Sequence, residues 1–314
     1  MNQTYINAVR LLLAVAPVVF RKPVFALKGG TAINLFLRDM PRLSVDLDLV
    51  YADHRPSREA ALKTVSDSLE IIRDEISQLG FQCEIGSTAE RNDVKLFVQR
   101  NRTRIKLEVN HVFRGTVLPV ENRDLVETAR DVFLTDLQLP VLHHDELYGS
   151  KLVAAMDRQH PRDIFDVLGL YEHGGLTPGT VECFVCYLAG HNRPVHEVLF
   201  GNETDIRPAF ANEFEGMTRE GVSLDVLLET RRRFMAELPM ALTDNHRSFL
   251  SGLVRCVPDW SLMQCPHLEM MPAIRWKLEN LARLKRTNPS KFSRQAEELT
   301  GRLSRCPVTG TTLD

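Results

Sequence analysis

The feature that most constrains this chain is a change of hydrophobic period at Pro140. Before it, segments 42–51 (RLSVDLDLVY), 81–86 (FQCEIG), 93–100 (DVKLFVQR) and 103–113 (TRIKLEVNHVF) read as strands, with 23–28 (PVFALK) as a further short one. After it, the sequence carries only helix-like segments separated by Pro and Gly, with no internal repeat and no low-complexity tract. A chain organised this way is α+β in class, with a mixed sheet flanked by helices in residues 1–140 and an all-helical part in residues 141–314.

Helices frame the strands. Residues 4–19 read as a buried helix that Pro17 kinks or ends. Thr31 is the expected N-cap of a short helix carrying Ile33, Leu35, Phe36 and Leu37, broken by Met40-Pro41. Residues 57–79 place Leu62, Val65, Leu69, Ile72 and Ile76 on one stripe and stop at Gly80. Segments 87–92 and 100–102 suit hairpin connections. Helices over 144–157 and 162–173 break at His160-Pro161, and the second stops at Gly174-Gly175.

With 314 residues, 44% of them apolar, the chain can bury a sizeable core. A net charge of −2 argues against coating nucleic acid through bulk positive charge, though a local basic face stays open. The six cysteines are scattered, which points to reduced thiols in a cytoplasmic protein rather than a disulfide framework. Cys183 and Cys186 form a lone C-x-x-C in an apolar run and read as two small core residues. The apolar stretch 11–20 lacks a basic flank and a small-residue cleavage site, and is too short to cross a bilayer, so a soluble protein is expected. His143-His144 precede a helix without a nearby nucleophile motif, and capping or surface exposure accounts for them.

Ser44, Asp46 and Asp48 alternate with Val45, Leu47 and Leu49, which turns all three polar side chains to one face of a strand. A solvated strand face would look the same. Yet the flanking apolar residues set this strand well inside a sheet, where two unpaired carboxylates are costly. The pair also follows Gly29-Gly30-Thr31, a turn opening a helix, where free backbone N–H groups and the helix dipole hold phosphate. Phosphate beside paired carboxylates implies a divalent ion, Mg²⁺ or Mn²⁺, arriving with a nucleoside triphosphate. Glu108, between Leu107 and Val109 and on the face of Lys106 and Asn110, is the candidate third carboxylate; an exposed glutamate on an amphipathic strand would have the same pattern. Further on, Lys151, Ala155 and Arg158 share a helix face, and Arg162 and Asp166 are spaced i,i+4 with Asp163 next to Arg162. These residues form either a surface ion-pair ladder or a set of cations for triphosphate, oriented by Asp163 or Asp166.

In this order, Gly29-Gly30-Thr31, R42-L-S44-V-D46-L-D48, K-L-E108-V-N and K151-L-x-A-x-x-x-R158-x-x-x-R162-D163-x-x-D166 resemble the AbiEii/AbiGii toxin family of nucleotidyltransferases, which includes the MenT toxins. The resemblance covers about residues 20–175 and implies a polymerase-β-like nucleotidyltransferase core. It implies Asp46 and Asp48 as metal ligands, with Glu108 by analogy as the third. Gly29, Gly30, Thr31 and Ser44 would lie by the triphosphate, Lys151 would hold the nucleotide with Arg158 and Arg162, and Asp166 or Asp163 would be the acid of the R-D-x-x-D motif. The helical part would contribute these last residues to the active site.

The implied activity is metal-dependent transfer of a nucleotide from an NTP to a hydroxyl with release of pyrophosphate. The implied setting is a type IV-like toxin–antitoxin or abortive-infection system with a cognate antitoxin, and the first acceptor to expect is the 3′ end of tRNA. Segment 275–305 carries Arg275, Lys277, Arg283, Lys285, Arg286, Lys291, Arg294, Arg302 and Arg305 against Glu279, Glu297 and Glu298, with Trp276 and Phe292 interleaved, and is the candidate RNA-binding face. Arg231-Arg232-Arg233 is a second, smaller one. Two alternatives remain: an enzyme that modifies a small molecule or a protein hydroxyl, and a non-catalytic nucleotide-binding interaction protein.

Overall fold

A computed structural model describes residues 3–87 and 93–306. The chain divides into two compact units, Met1–Leu147 with Phe214–Val222, and Tyr148–Glu213 with Ser223–Asp314.

The first unit opens with α1 (Gln3–Val19), which runs two residues past Pro17 before ending. Then come β1 (Phe25–Lys28) and α2 (Gly29–Ala32), which passes directly into a π-helical turn at Ile33–Leu37. Next are β2 (Asp46–Tyr51), α3 (Arg58–Gln78), β3 (Gln82–Ser87), β4 (Asp93–Arg100) and β5 (Thr103–Asn110). Ser57 caps α3 by accepting the Ala60 N–H at 3.2 Å. The unit continues through β6 (Glu121–Asp124), α4 (Glu127–Phe133) and β7 (Gln138–Val141). Among the described residues, seven strands form one sheet in the order β3-β4-β5-β2-β1-β7-β6. It is mixed: β2 runs parallel to β5 and β1 parallel to β7, while the remaining neighbours are antiparallel.

Helices α1 and α3 pack against this sheet and each other. On β2, Leu47 and Leu49 are fully buried, as are Leu107 and Val109 on β5 to within 1%. Each such side chain contributes about 2 kcal/mol relative to exposure, so the apolar face fixes the register of the two central strands. The opposite faces of β2 and β5 are thereby committed to Asp46, Asp48, Lys106 and Glu108.

Two local expectations change. The strand expected over 42–51 is shorter, because Arg42 forms only an isolated bridge with Thr218 and Leu43 donates to the Met217 carbonyl at 3.0 Å. Ser44 therefore precedes β2 rather than lying on it. Strands β6 and β7 have no sequence counterpart among the expected elements: ENRD has no apolar residue and QLPV is short and holds a proline, and they are placed by the pairing of β7 with β1 and of β6 with β7. The hairpin expected over 87–92 lies largely outside the described residues, whereas that at 100–102 is present, with Asn101 at φ 55°.

Helix α5 (His144–Arg158) starts in the first unit and continues into the second, which goes on with α6 (Pro161–Glu172) and α7 (Pro178–Gly190). Then follow α8 (Val195–Leu199), α9 (Arg207–Ala209), α10 (Leu224–Ala241), α11 (Asp244–Val254), α12 (Pro272–Thr287) and α13 (Pro289–Leu303). Helix α7 is the core of this unit, buried from Thr180 to Gly190. Its one acid, Glu182, is matched: it meets His246 at 2.9 Å and accepts the Gln264 N–H at 2.7 Å. Cys183 and Cys186 are buried free thiols here. A Cβ on Gly149 of α5 would come within 2.6 Å of the Cys183 Cβ, so α5 and α7 approach closely only because residue 149 is glycine.

Candidate active site

Strand register brings charged side chains from four strands into a single row. Asp48 of β2 pairs with Lys28 of β1 on one side and with Glu108 of β5 on the other, and Glu108 pairs with Lys95 of β4. Directly opposed residues face the same side of a sheet, so the row reads Lys28, Asp48, Glu108, Lys95. One step along, Asp46 is opposed by Lys106. The Lys106 ammonium lies 2.7 Å from one Glu108 oxygen, and the Lys95 ammonium 3.8 Å from the other. Burial works against the charge on Lys106, but the bond to Glu108 and the fields of Asp46, Glu108 and Asp48 outweigh it and raise its pKa. The sequence puts Lys106 on the face of Glu108, but its place across from Asp46 comes from the parallel β2–β5 register, and that of Lys95 from pairing of β4 with β5.

Asp48 is half-buried, and its carboxylate has no hydrogen bond or ion pair with any described residue. Gly29 lies against it. At φ 74° this residue holds a left-handed conformation, and a Cβ there would overlap the Asp48 Oδ2. The helix begins at Gly29, not after Thr31, so Thr31 is not its N-cap. Instead the buried Thr31 hydroxyl meets the Ser44 hydroxyl at 3.0 Å and donates to the Asp46 carbonyl. A Cβ on Gly30 would come within 2.7 Å of the Arg42 guanidinium and 3.0 Å of Ser44 Oγ. Gly29, Gly30, Thr31, Ser44, Asp46 and Asp48 are thus brought together, with the first backbone N–H groups of a helix beside two carboxylates.

The residues present suit a divalent ion. Asp48 is a half-buried carboxylate with no hydrogen bond or ion pair to any described residue, next to Asp46 and to a backbone that leaves room only because residue 29 lacks a side chain. Among the described residues, no three His, Cys, Asp or Glu side chains are gathered as a complete metal cage. A hard divalent ion that keeps substrate phosphate oxygens in its shell needs only one or two carboxylates from the protein.

In the second unit, Lys151 of α5 is buried, with its ammonium 2.8 Å from Asp163 and 3.0 Å from Asp166 of α6. Arg158, mostly exposed, holds the other Asp163 oxygen at 2.9 Å. Both acids therefore bind Lys151, and the cluster is interior rather than a surface ladder. His160 caps α6 by accepting the Arg162 N–H at 3.2 Å, and Pro161 opens the helix. The Arg162 side chain is half-buried beyond it. His143 takes a similar capping role, accepting the Asp145 N–H at 3.2 Å.

The basic segments are altered by burial. Lys277 is buried and donates to the His191 and Arg193 carbonyls at 2.8 and 2.6 Å, so it leaves the basic face. Phe292 is also buried, with Lys285 over its ring at 5.6 Å, whereas Trp276 is half-exposed. The remaining cations of 275–305 are exposed. Arg231-Arg232-Arg233 is no free patch: Arg231 is buried against Glu203 and the Thr204 carbonyl, Arg232 pairs with Glu229, and Arg233 pairs with Glu237.

A mixed sheet flanked by helices, with a glycine turn beside strand carboxylates, gives the chain a fold of the nucleotidyltransferase kind. The family model described as nucleotidyl transferase AbiEii toxin, type IV TA system, matches residues 10–280, and the chain belongs to that family of NTP-dependent nucleotidyltransferases. Among solved structures it is similar to MenT4, a nucleotidyltransferase toxin from Mycobacterium tuberculosis H37Rv, at 18% identity over 90% of this chain and 95% of that one, with a TM-score of 0.59. That likeness concerns the fold. No curated protein sequence matches the chain. Among the described residues, no helix is long and apolar enough to cross a membrane.

Proposed function

We propose that this toxin transfers a nucleoside monophosphate from an NTP to a hydroxyl at the 3′ end of an RNA, tRNA first, and that Asp46 and Asp48 hold the Mg²⁺ or Mn²⁺ that the reaction needs. The observation that carries the reading is Asp48: a half-buried carboxylate with no hydrogen bond or ion pair to any described residue, near Asp46 and against a glycine turn that opens a helix. Held by Asp46 and Asp48, such an ion would supply charge neutralisation for the transferring phosphate and the leaving pyrophosphate.

The chain's own residues do the rest. Backbone N–H groups at Gly29, Gly30 and Thr31 bind phosphate oxygens, and the Thr31–Ser44 hydroxyl pair holds that turn against β2. Glu108, level with Asp48, faces the incoming hydroxyl and takes its proton as the oxygen attacks the α-phosphorus and the bond to pyrophosphate breaks. Lys151, fixed by Asp163 and Asp166, carries phosphate charge of the donor together with Arg158 and Arg162. The exposed cations of 275–305 bind the RNA backbone, and a cognate antitoxin restrains the enzyme.

The test incubates the purified protein with Mg²⁺, each α-³²P-labelled NTP and total bacterial RNA, beside Asp46→Asn and a chelator control. Label in a tRNA-sized band, lost in both controls, is expected for one or two of the four NTPs. Label in protein or a small molecule instead would move the acceptor, and label retained by Asp46→Asn would remove the assignment of the carboxylates.

A further inference from the structure

The carboxylates of β2 and β5 already have a positive charge among them, supplied by the protein. Lys106 stands directly across from Asp46 in the parallel β2–β5 register, and its ammonium sits 2.7 Å from Glu108, which itself stands across from Asp48. Its side chain is about two-thirds buried, and that of Glu108 more so, so the contact is less screened than a surface pair. Lys95 reinforces it from β4 at 3.8 Å. The carboxylates of Asp46, Asp48 and Glu108 lie on one face of two adjacent strands and repel one another, and a lysine reaching the same face relieves that repulsion.

We propose that Lys106 is the built-in counter-ion of the carboxylate cluster, which a divalent ion must displace to bind. The inference rests on the reading that Asp46 and Asp48 hold the metal. It follows that Lys106 weakens metal binding to the free protein and keeps Glu108 engaged until the ion arrives. The donor, which brings phosphate oxygens for the ion and negative charge for the released ammonium, then loads the site with its metal rather than after it. Lys106 is on this account a positioning residue that acts through Glu108.

Direct Mn²⁺ binding to the nucleotide-free protein, followed by the electron paramagnetic resonance signal of the free ion, tests this without any turnover. Wild type is compared with Lys106→Met, Lys106→Gln, Asp48→Asn and Lys63→Met. The last removes an equal charge from an exposed pair with Asp67 on α3. Circular dichroism checks that each variant is folded, and Lys106→Gln, which keeps a polar side chain, stands in should the methionine variant fail that check. Removing the competing charge and freeing Glu108 is expected to tighten Mn²⁺ by about tenfold, with Lys63→Met unchanged and Asp48→Asn binding lost. Lys106 variants that bind Mn²⁺ no more tightly than wild type, while Asp48→Asn loses it, would overturn the counter-ion role and leave the metal site standing. Asp48→Asn binding like wild type would instead remove the metal site, and the counter-ion with it.

Discussion

Asp48 Oδ2 occupies the space that a Cβ on Gly29 would need. The two residues come from different elements, yet the position of the carboxylate depends on the absence of a side chain at residue 29. That same glycine is at φ 74°, where an alanine is strained irrespective of space. Gly29→Ala is therefore expected to lose about 1–3 kcal/mol of stability and at least tenfold in transfer rate. Urea unfolding beside the labelled-NTP assay measures both. A variant with wild-type rates would mean that Asp48 tolerates displacement and is not a ligand.

Lys151 is buried between Asp163 and Asp166, at 2.8 and 3.0 Å. Removing one partner of a buried ionic group is costly because the remaining charge is left without compensation. Asp166 lies deepest, so Asp166→Asn is expected to cost about 3 kcal/mol. Lys151→Met should cost at least as much, because it leaves two carboxylates facing each other. Combining the two should recover part of the loss, and a double-mutant cycle by urea unfolding measures that coupling. Strict additivity would mean that the ion pair contributes nothing to folding.

The parts of the site that can be read from the sequence are those with a local signature. Asp46 and Asp48 stand out because period two in a strand is a local property, and the Lys151-to-Asp166 spacing because helix geometry is local too. Burial and strand pairing are not. That Lys277 and Arg231 leave the basic surface, or that Lys106 stands across from Asp46, depends on elements far apart in the chain. Thr31 illustrates a subtler loss. Its hydroxyl suggests an N-cap, but the helix starts three residues earlier, at the left-handed Gly29, and leaves that hydroxyl for Ser44.

With Lys277 withdrawn, the basic face of α12 and α13 retains Arg283, Lys285, Arg286, Lys291 and Arg294 as exposed cations. If this face carries the RNA, removing each cation that neutralises a phosphate should lower the slope of log affinity against log salt by about one. Arg286→Ala with Lys291→Ala is expected to flatten the slope for tRNA by about two units while leaving nucleotide binding alone. Fluorescence anisotropy across a salt series would reveal it, and an unchanged slope would move the RNA elsewhere.

Lys277 gives the chain a pH dependence of definite sign. Burial depresses its pKa from 10.5 to about 8, with Glu197 opposing the shift only in part. Between those values the unfolded chain holds a proton that the folded protein has lost, so stability rises as pH rises through that window. Below pH 8 the folded protein bears the whole cost of a buried ammonium, and above 10.5 none of it. A shift of that size corresponds to about 3 kcal/mol between the two limits. Other lysines titrate nearby, so the quantity to follow is the stability of wild type minus that of Lys277→Met, by urea unfolding from about pH 7 to about pH 10. This difference is expected to grow in favour of wild type as pH increases. The methionine variant leaves the His191 and Arg193 carbonyls without their donor at every pH, so that loss offsets the curve without tilting it. A flat difference would mean that Lys277 stays protonated in the fold, with its two carbonyl bonds compensating burial in full.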